Sequence, residues 1–318
     1  MTVEERIDPV DLKILDILLK DSRTNLNQIA KECNLSSSAI LFRIKKLKED
    51  GTIVSFGLQV KKGALGYPYE ATVGVMAETS KNQSAAEEIR KNPNVIVCTK
   101  SIGKFNMCCL VIAKNMEDFD RATQRIKNVP GVKGIAINII LEQFIKNGEV
   151  TDQENDVNQE ADRLDTAIIK ELMADSRTPF IKIGKKLGIS HETVKKKFET
   201  LKSKGIILCC SAIIDYSKLG YQGTVFIFIS LTKGTEKTST IEELRKFPSL
   251  YRINSVMGTF DIIAFANFKG LRDFTKLIDD IQQIHSIGQI DFCLANYTYF
   301  SFIPIPLTPI KCDTIELS

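Results

Sequence analysis

The chain repeats itself at long range. Asp21-Ser22-Arg23-Thr24 returns as Asp175-Ser176-Arg177-Thr178, and Leu65-Gly66-Tyr67 returns as Leu219-Gly220-Tyr221. The displacement is the same in both cases, from 21 to 175 and from 65 to 219, so no gap falls between the two landmarks. Solenoid units run about 20–50 residues. A displacement this long implies two homologous modules, each large enough for two domains, joined in one polypeptide. The function expected of such a chain is one that a dimer performs.

At 318 residues there is room for about two to four domains with cores of their own. The 43% hydrophobic and 26% charged residues are ordinary for a soluble protein, and no apolar run reaches the roughly 18–20 residues of a membrane span. Met1-Thr2-Val3-Glu4-Glu5-Arg6 carries no apolar signal core, so a cytoplasmic location is expected. A net charge of +4 permits nucleic-acid binding without arguing for it; local clustering must decide. The eight cysteines include no C-x2-C spacing, and the adjacent pairs Cys108-Cys109 and Cys209-Cys210 lie in apolar strand-like runs. They read as small buried hydrophobes in a reducing compartment, with thiol sensing as the alternative. No metal, cofactor or catalytic set is expected.

In the first module Asp8-Pro9-Val10-Asp11 signals a helix start, with a capping Asp, Pro at the first helical position and an acid three residues after the cap. Leu12, Leu15, Leu18 and Leu19 follow at helical spacing until Asp21-Ser22-Arg23-Thr24 interrupts them. A short second helix places Leu26, Ile29 and Ala30 inward, Cys33-Asn34-Leu35 makes a turn, and Ser36 caps a third helix carrying Ile40, Ile44 and Leu47 on one face. Gly51 ends that helix. Three short helices with a tight turn between the second and third form the helix-turn-helix pattern. Its third helix suits the DNA major groove, with early residues at base edges and basic residues at phosphates. A solvated basic helix of an interaction domain is the plainer reading. From residue 52 the period becomes strand-like. Strands are expected near 53–60, 68–78, 95–102, 105–113 and 132–144, and helices near 82–91 and 116–128. Without the connecting strand, the order is β-α-β-β-α-β, a ferredoxin-like sheet with helices on one face. The other face should bury against a second such sheet.

Residues 148–162 hold six acids and no basic residue, the composition of a self-repelling linker. The second module then repeats the first. Ile168, Ile169 and Leu172 mark its first helix, Pro179 opens the second, Gly188 occupies the turn, and Ser190 caps a third helix with Val194, Phe198 and Leu201 inward. Gly205 ends it, in the place of Gly51. Strands are expected near 206–214, 222–232, 250–257, 260–268 and 289–300, and helices near 237–246 and 271–284.

Helix-turn-helix, then Gly51-Thr52-Ile53, Leu65-Gly66-Tyr67 and a β-α-β-β-α-β domain resembles the Lrp/AsnC (feast/famine) transcription regulators. The run Leu35-Ser36-Ser37-Ser38-Ala39-Ile40 with Arg43-Ile44-Lys45-Lys46-Leu47 is similar to the family's recognition helix. Gly258-Thr259-Phe260-Asp261 resembles its Gly-x-aromatic-Asp turn, and Val129-Pro130-Gly131-Val132 the turn before its last strand. The likeness covers nearly the whole chain twice. It implies pairing of sheet domains, further assembly into a homo-oligomer, and an amino-acid effector held between sheet domains. Gly103-Lys104-Phe105-Asn106 has Asn where the family has Asp, and His285-Ser286-Ile287-Gly288 replaces the Pro-Gly-Val turn.

The fold class expected is α+β, two copies of a helix-turn-helix domain followed by a ferredoxin-like AsnC-type domain. The limits are 1–60 and 61–147, a linker at 148–162, then 163–214 and 215–318. The partners are double-stranded DNA, the intramolecular pairing of sheet 66–145 with sheet 220–302, and an effector. Ser37, Ser38 and Arg43, with His191, Glu192 and Lys195, are expected at base edges; Lys45, Lys46, Lys196 and Lys197 at phosphates. Effector contacts fall on Gly258, Thr259 and Asp261, with Gly103 and Asn106 as counterparts, although the same residues would equally make tight turns. Two unlike heads favour an asymmetric site with half-sites about one helical turn, or a multiple of it, apart. The alternatives are a DNA-architectural protein without effector and an enzyme like the sirohaem decarboxylases, which also use two such halves. The presence of only two histidines, His191 and His285, argues against the enzyme.

Overall fold

A computed structural model describes residues 7–145 and 161–295. The acidic linker lies outside the described residues apart from Ala161 and Asp162, as does the expected last strand beyond residue 295. The first module contains α1 (Pro9–Lys20), α2 (Leu26–Cys33), α3 (Ser37–Glu49), β1 (Ile53–Val60), β2 (Tyr69–Ala77), α4 (Asn82–Arg90), β3 (Val95–Gly103), β4 (Met107–Ala113), α5 (Met116–Lys127) and β5 (Val132–Ile145). The second contains α6 (Arg163–Ala174), α7 (Phe180–Leu187), α8 (His191–Ser203), β6 (Ile207–Ile214), β7 (Gly223–Leu231), α9 (Lys237–Leu244), β8 (Leu250–Gly258), β9 (Ile262–Phe268), α10 (Leu271–Gln282) and β10 (Ile287–Ala295). Two compact units result, and each draws on both modules. One holds residues up to 65 and 161–221; the other holds 66–145 and 222–295.

The first unit is built around exchanged strands. α1 begins with a capping box: Asp8 accepts a hydrogen bond from the Asp11 N–H at 2.8 Å, and Asp11 accepts one from Asp8. Asp162 and Asp165 repeat this at α6, the Asp165 N–H donating to Asp162 at 2.7 Å. Asp162, which composition placed in the linker, is therefore part of the second head. β1 and β6 pair antiparallel, with Phe56 opposite Ala212 and Gly57 opposite Ser211. The apolar stripe of α1–α3 closes over both strands. Ile14, Leu18, Ile29 and Ile40 are fully shielded, and they share one core with Phe56 of β1 and with Ala212 and Ile214 of β6. A strand of the second module thus completes the core of the first head, and α6 in turn lies on β1.

The repeated tetrapeptide sits at this junction. Asp21 and Asp175 each accept a hydrogen bond at 2.8 Å from the backbone two residues on, which turns the chain after the first helix of each head. Ser22 and Ser176, both fully buried, meet with 2.8 Å between their hydroxyls. Their N–H groups donate to Cys210 and Phe56 carbonyls. Arg23 reaches across to the carbonyls of Ser176 and Thr178 and stacks 4.1 Å over Phe180; Arg177 donates to the Ser22 carbonyl at 2.7 Å and lies 5.2 Å over Phe56.

In the second unit each module contributes a ferredoxin-like sheet of the same strand order, β3-β4-β2-β5 and β8-β9-β7-β10. The edges join, β5 to β8 and β10 to β3, and close all eight strands into one barrel. The bare sheet faces bury against each other, as expected, on the inside of a continuous wall, and the closure leaves no edge strand in the barrel. Side chains alternate along each strand. Met107, Cys109, Val111 and Ala113 of β4 pack with α4 and α5, while Cys108, Leu110 and Ile112 are as deeply buried on the opposite side. On that inner side Phe105 of the first module stacks edge-on against Phe228 at 5.2 Å, and Phe228 lies 5.1 Å from Phe260. The described cysteines are unpaired thiols, five of them buried. Burial pushes Cys210 up to about 12, as expected of a packing residue.

Candidate nucleic-acid interface

Each head presents its third helix through local capping chemistry. Asn25 caps α2, accepting from Gln28 at 2.9 Å, and Asn34 ends it in the left-handed region at φ 53°. Ser36 caps α3 by accepting from Ala39 at 3.2 Å. In the second head Gly188 takes the left-handed turn at φ 68°, and Ser190 caps α8 by accepting from Thr193 at 3.1 Å. Ile40, Ile44 and Leu47 hold α3 to its head, and Val194, Phe198 and Leu201 hold α8. The opposite faces are left to solvent.

The expected base readers separate into two groups. Ser38 is exposed, with its hydroxyl 2.9 Å from that of Ser36. Ser37 is half-buried and donates to Asn27 at 2.7 Å. Lys45 and Lys46 are exposed on α3; Lys45 lies 3.5 Å from Glu49. On α8, Glu192, Lys195 and Lys196 are exposed, as is His191, whose ring is 3.0 Å from Glu192. Arg43 and Lys197 stand apart from these. Arg43 forms ion pairs with Asp8 at 2.6 Å and Asp11 at 2.7 Å; Lys197 does so with Asp162 at 2.5 Å and Asp165 at 3.1 Å. Both tie the third helix of a head to the cap of its first helix. In this structure Arg43, expected at base edges, and Lys197, expected at phosphates, are engaged within their own heads. Lys197 holds the Asp162 carboxyl below the usual carboxylate range. At Asp8 burial acts upward, and hydrogen bonds from the Asp11 backbone and Arg43 more than offset it, leaving that carboxyl lowered as well.

Sequence reasoning missed Leu41 and Phe42. They are 55% and 69% exposed on α3. The available signal was their place outside the Ile40–Ile44–Leu47 seam.

The turns expected to hold an effector also shape the barrel. Gly103 (φ 136°) and Gly258 (φ 153°) end β3 and β8 where the two sheets meet. A methyl group on Gly103 would stand 2.3 Å from the Phe292 carbonyl oxygen, and one on Gly258 would stand 2.0 Å from that of Ile137. Thr259 donates its N–H to Ile137. Asn106 accepts from the Ala77 N–H at 2.7 Å, and Asp261 accepts from the Leu231 N–H at 2.9 Å. Asn and Asp therefore do the same structural work in the two sheets, which explains why the first module tolerates Asn. Asp261 additionally lies 3.9 Å from Lys237.

Three family models match the chain: winged helix-turn-helix DNA-binding over residues 7–54, the Lrp/AsnC ligand binding domain over 70–150, and the AsnC-type helix-turn-helix domain over 162–202. A Pyrococcus horikoshii protein described as an uncharacterized HTH-type transcriptional regulator is 32% identical over 136 residues, 43% of this chain and 92% of that protein. The chain belongs to the Lrp/AsnC family. The HTH-type transcriptional regulator FL11 of the same organism is 32% identical over 135 residues, 42% of this Lrp/AsnC chain and 89% of FL11. Relatives of this kind match somewhat less than half of the chain, as its repeat requires. The crystal structure of the siroheme decarboxylase NirDL shares the fold of this Lrp/AsnC chain at a TM-score of 0.63, covering 92% of each, with 17% identity. That likeness concerns the fold alone.

Proposed function

We propose that the chain is a cytoplasmic, DNA-binding transcriptional regulator, a fused pseudo-dimer in which the heads at 1–60 and 163–214 read an asymmetric duplex and the sheet domains at 61–147 and 215–318 pair with each other. The observation that carries this reading is the pair of third helices, each capped, seated on its head and turned outward with exposed lysines, in a family whose named relatives are transcriptional regulators. Ser38, Lys45 and Lys46 in the first head, and His191, Glu192, Lys195 and Lys196 in the second, are the DNA contacts. For an amino-acid effector the contact is Asp261, where an incoming ammonium would compete with Lys237. A thermal-shift screen of the standard amino acids tests that part. Further assembly of chains belongs to the same reading.

The main test is fluorescence anisotropy on the upstream region of the chain's own gene and on a shuffled duplex of equal length, across a salt series. A preference of roughly 10³ for the native duplex is expected. Equal and steeply salt-dependent binding to both would favour an architectural protein. No binding to either would remove the regulator reading and bring forward tetrapyrrole decarboxylation, for which the shared fold is the only support.

A further inference from the structure

The two outward helix faces differ in kind. On α3, Leu41 and Phe42 stand exposed in the middle of the face, after Ser38 and before Lys45 and Lys46. At the repeat-related positions α8 carries Lys195 and Lys196. A single exposed apolar side chain on a surface needs no explanation. Two adjacent ones need more when they occupy the middle of a recognition helix. Arg43, the next residue, is paired with Asp8 and Asp11 of its own head.

We propose that the two heads read different base chemistry: Leu41 and Phe42 of the first head contact thymine methyl groups in the major groove, and the second head engages phosphates and guanine edges through Lys195 and Lys196. This rests on the DNA-binding reading above. In the major groove the thymine 5-methyl is the apolar mark on a base edge, and lysine meets the guanine acceptors. The flanking lysines fix the occupant as duplex DNA. A protein seated on Leu41 and Phe42 would have to desolvate Lys45 and Lys46, whereas phosphates pair with them. Two side chains are also far too little surface for a stable protein interface, which takes about 1,200 Å² or more.

The test begins with selection of binding duplexes from a random pool by the full chain. Each thymine of the selected site is then replaced by deoxyuridine, which removes only the methyl group. Loss of each contacted methyl should weaken binding about fourfold, from about 0.8 kcal/mol per buried carbon. The sensitivity should be confined to one half-site. It should diminish in Phe42→Lys, vanish when Leu41→Lys is added so that both positions copy the second head, and persist in Lys196→Ala. The wild-type arm needs no variant, so a misfolded mutant does not blunt the result. A selected site without thymine, equal affinity for thymine and uracil duplexes, or undiminished sensitivity in Phe42→Lys would overturn the inference while leaving DNA binding intact. Failure to select any duplex would instead remove the DNA-binding reading itself.

Discussion

A guanidinium held 2.6 and 2.7 Å from two carboxylates, as Arg43 is, makes charge-assisted hydrogen bonds stronger than neutral ones. Asp11 is 8% exposed at its side chain and so depends on them. Arg43→Ala should cost about 1 kcal/mol in urea denaturation and leave the salt slope of DNA binding unchanged. Replacing Lys195 and Lys196 together with Ala should do the reverse. Stability should stay within about 0.5 kcal/mol, while the slope of log affinity against log salt should flatten by roughly one charge, from the phosphate contact of Lys196. An unchanged slope would take α8 out of the interface. The ion pairs also set an acid limit. Asp8 and Asp162 have carboxyls lowered by folding, so they bind fewer protons folded than unfolded as the pH falls. Their contribution is fully present above the unfolded value of about 3.9 and is lost as the pH drops through the lower folded value. Below about pH 4 the wild-type urea midpoint should therefore fall faster than that of an Arg43→Ala/Lys197→Ala variant. Parallel curves would show that these pairs contribute nothing.

At the scale of elements, β1 and β6 belong to each other more than to the modules that encode them. A chain ending at residue 147 would keep α1–α3 and β1 but lose Ala212 and Ile214 from its core and Ser176 from its junction. Expressed alone, it should be dimeric or aggregated in sedimentation, with β1 self-paired. Coexpression with residues 148–318 should restore a soluble one-to-one complex. A stable, monomeric, folded half would contradict the exchange. The helices and strands were legible because their signals are local: periods of 3.6 and 2, capping Asp and Ser, and Gly or Asn at left-handed turns. The pairing of strands a whole module apart leaves no such mark. The same limit hid the ion pairs inside each head. Arg43 and Lys45 look alike in a list of charges, and only the fold brings Asp8 to one and not the other. Asp162 looked like one more linker acid for the same reason. The structural use of Gly258 and Asp261 appears only when Ile137 and Leu231 are beside them.

At the scale of the molecule, the two heads form one body. The Ser22–Ser176 contact, the crossed Arg23 and Arg177, and the β1–β6 ribbon bind them at a shared core. A pair of heads on a flexible tether would follow its half-sites along the duplex. It would fail when half a helical turn is inserted between them and recover after a whole turn of about 10 base pairs. Fused heads of this kind have a fixed span as well as a fixed rotation. Both insertions should abolish two-headed binding, and a deletion of one base pair should already be felt. The protein would then act as a caliper on DNA: its target is defined by a length between two marks as much as by the marks themselves, and that length is written in a buried pair of serines.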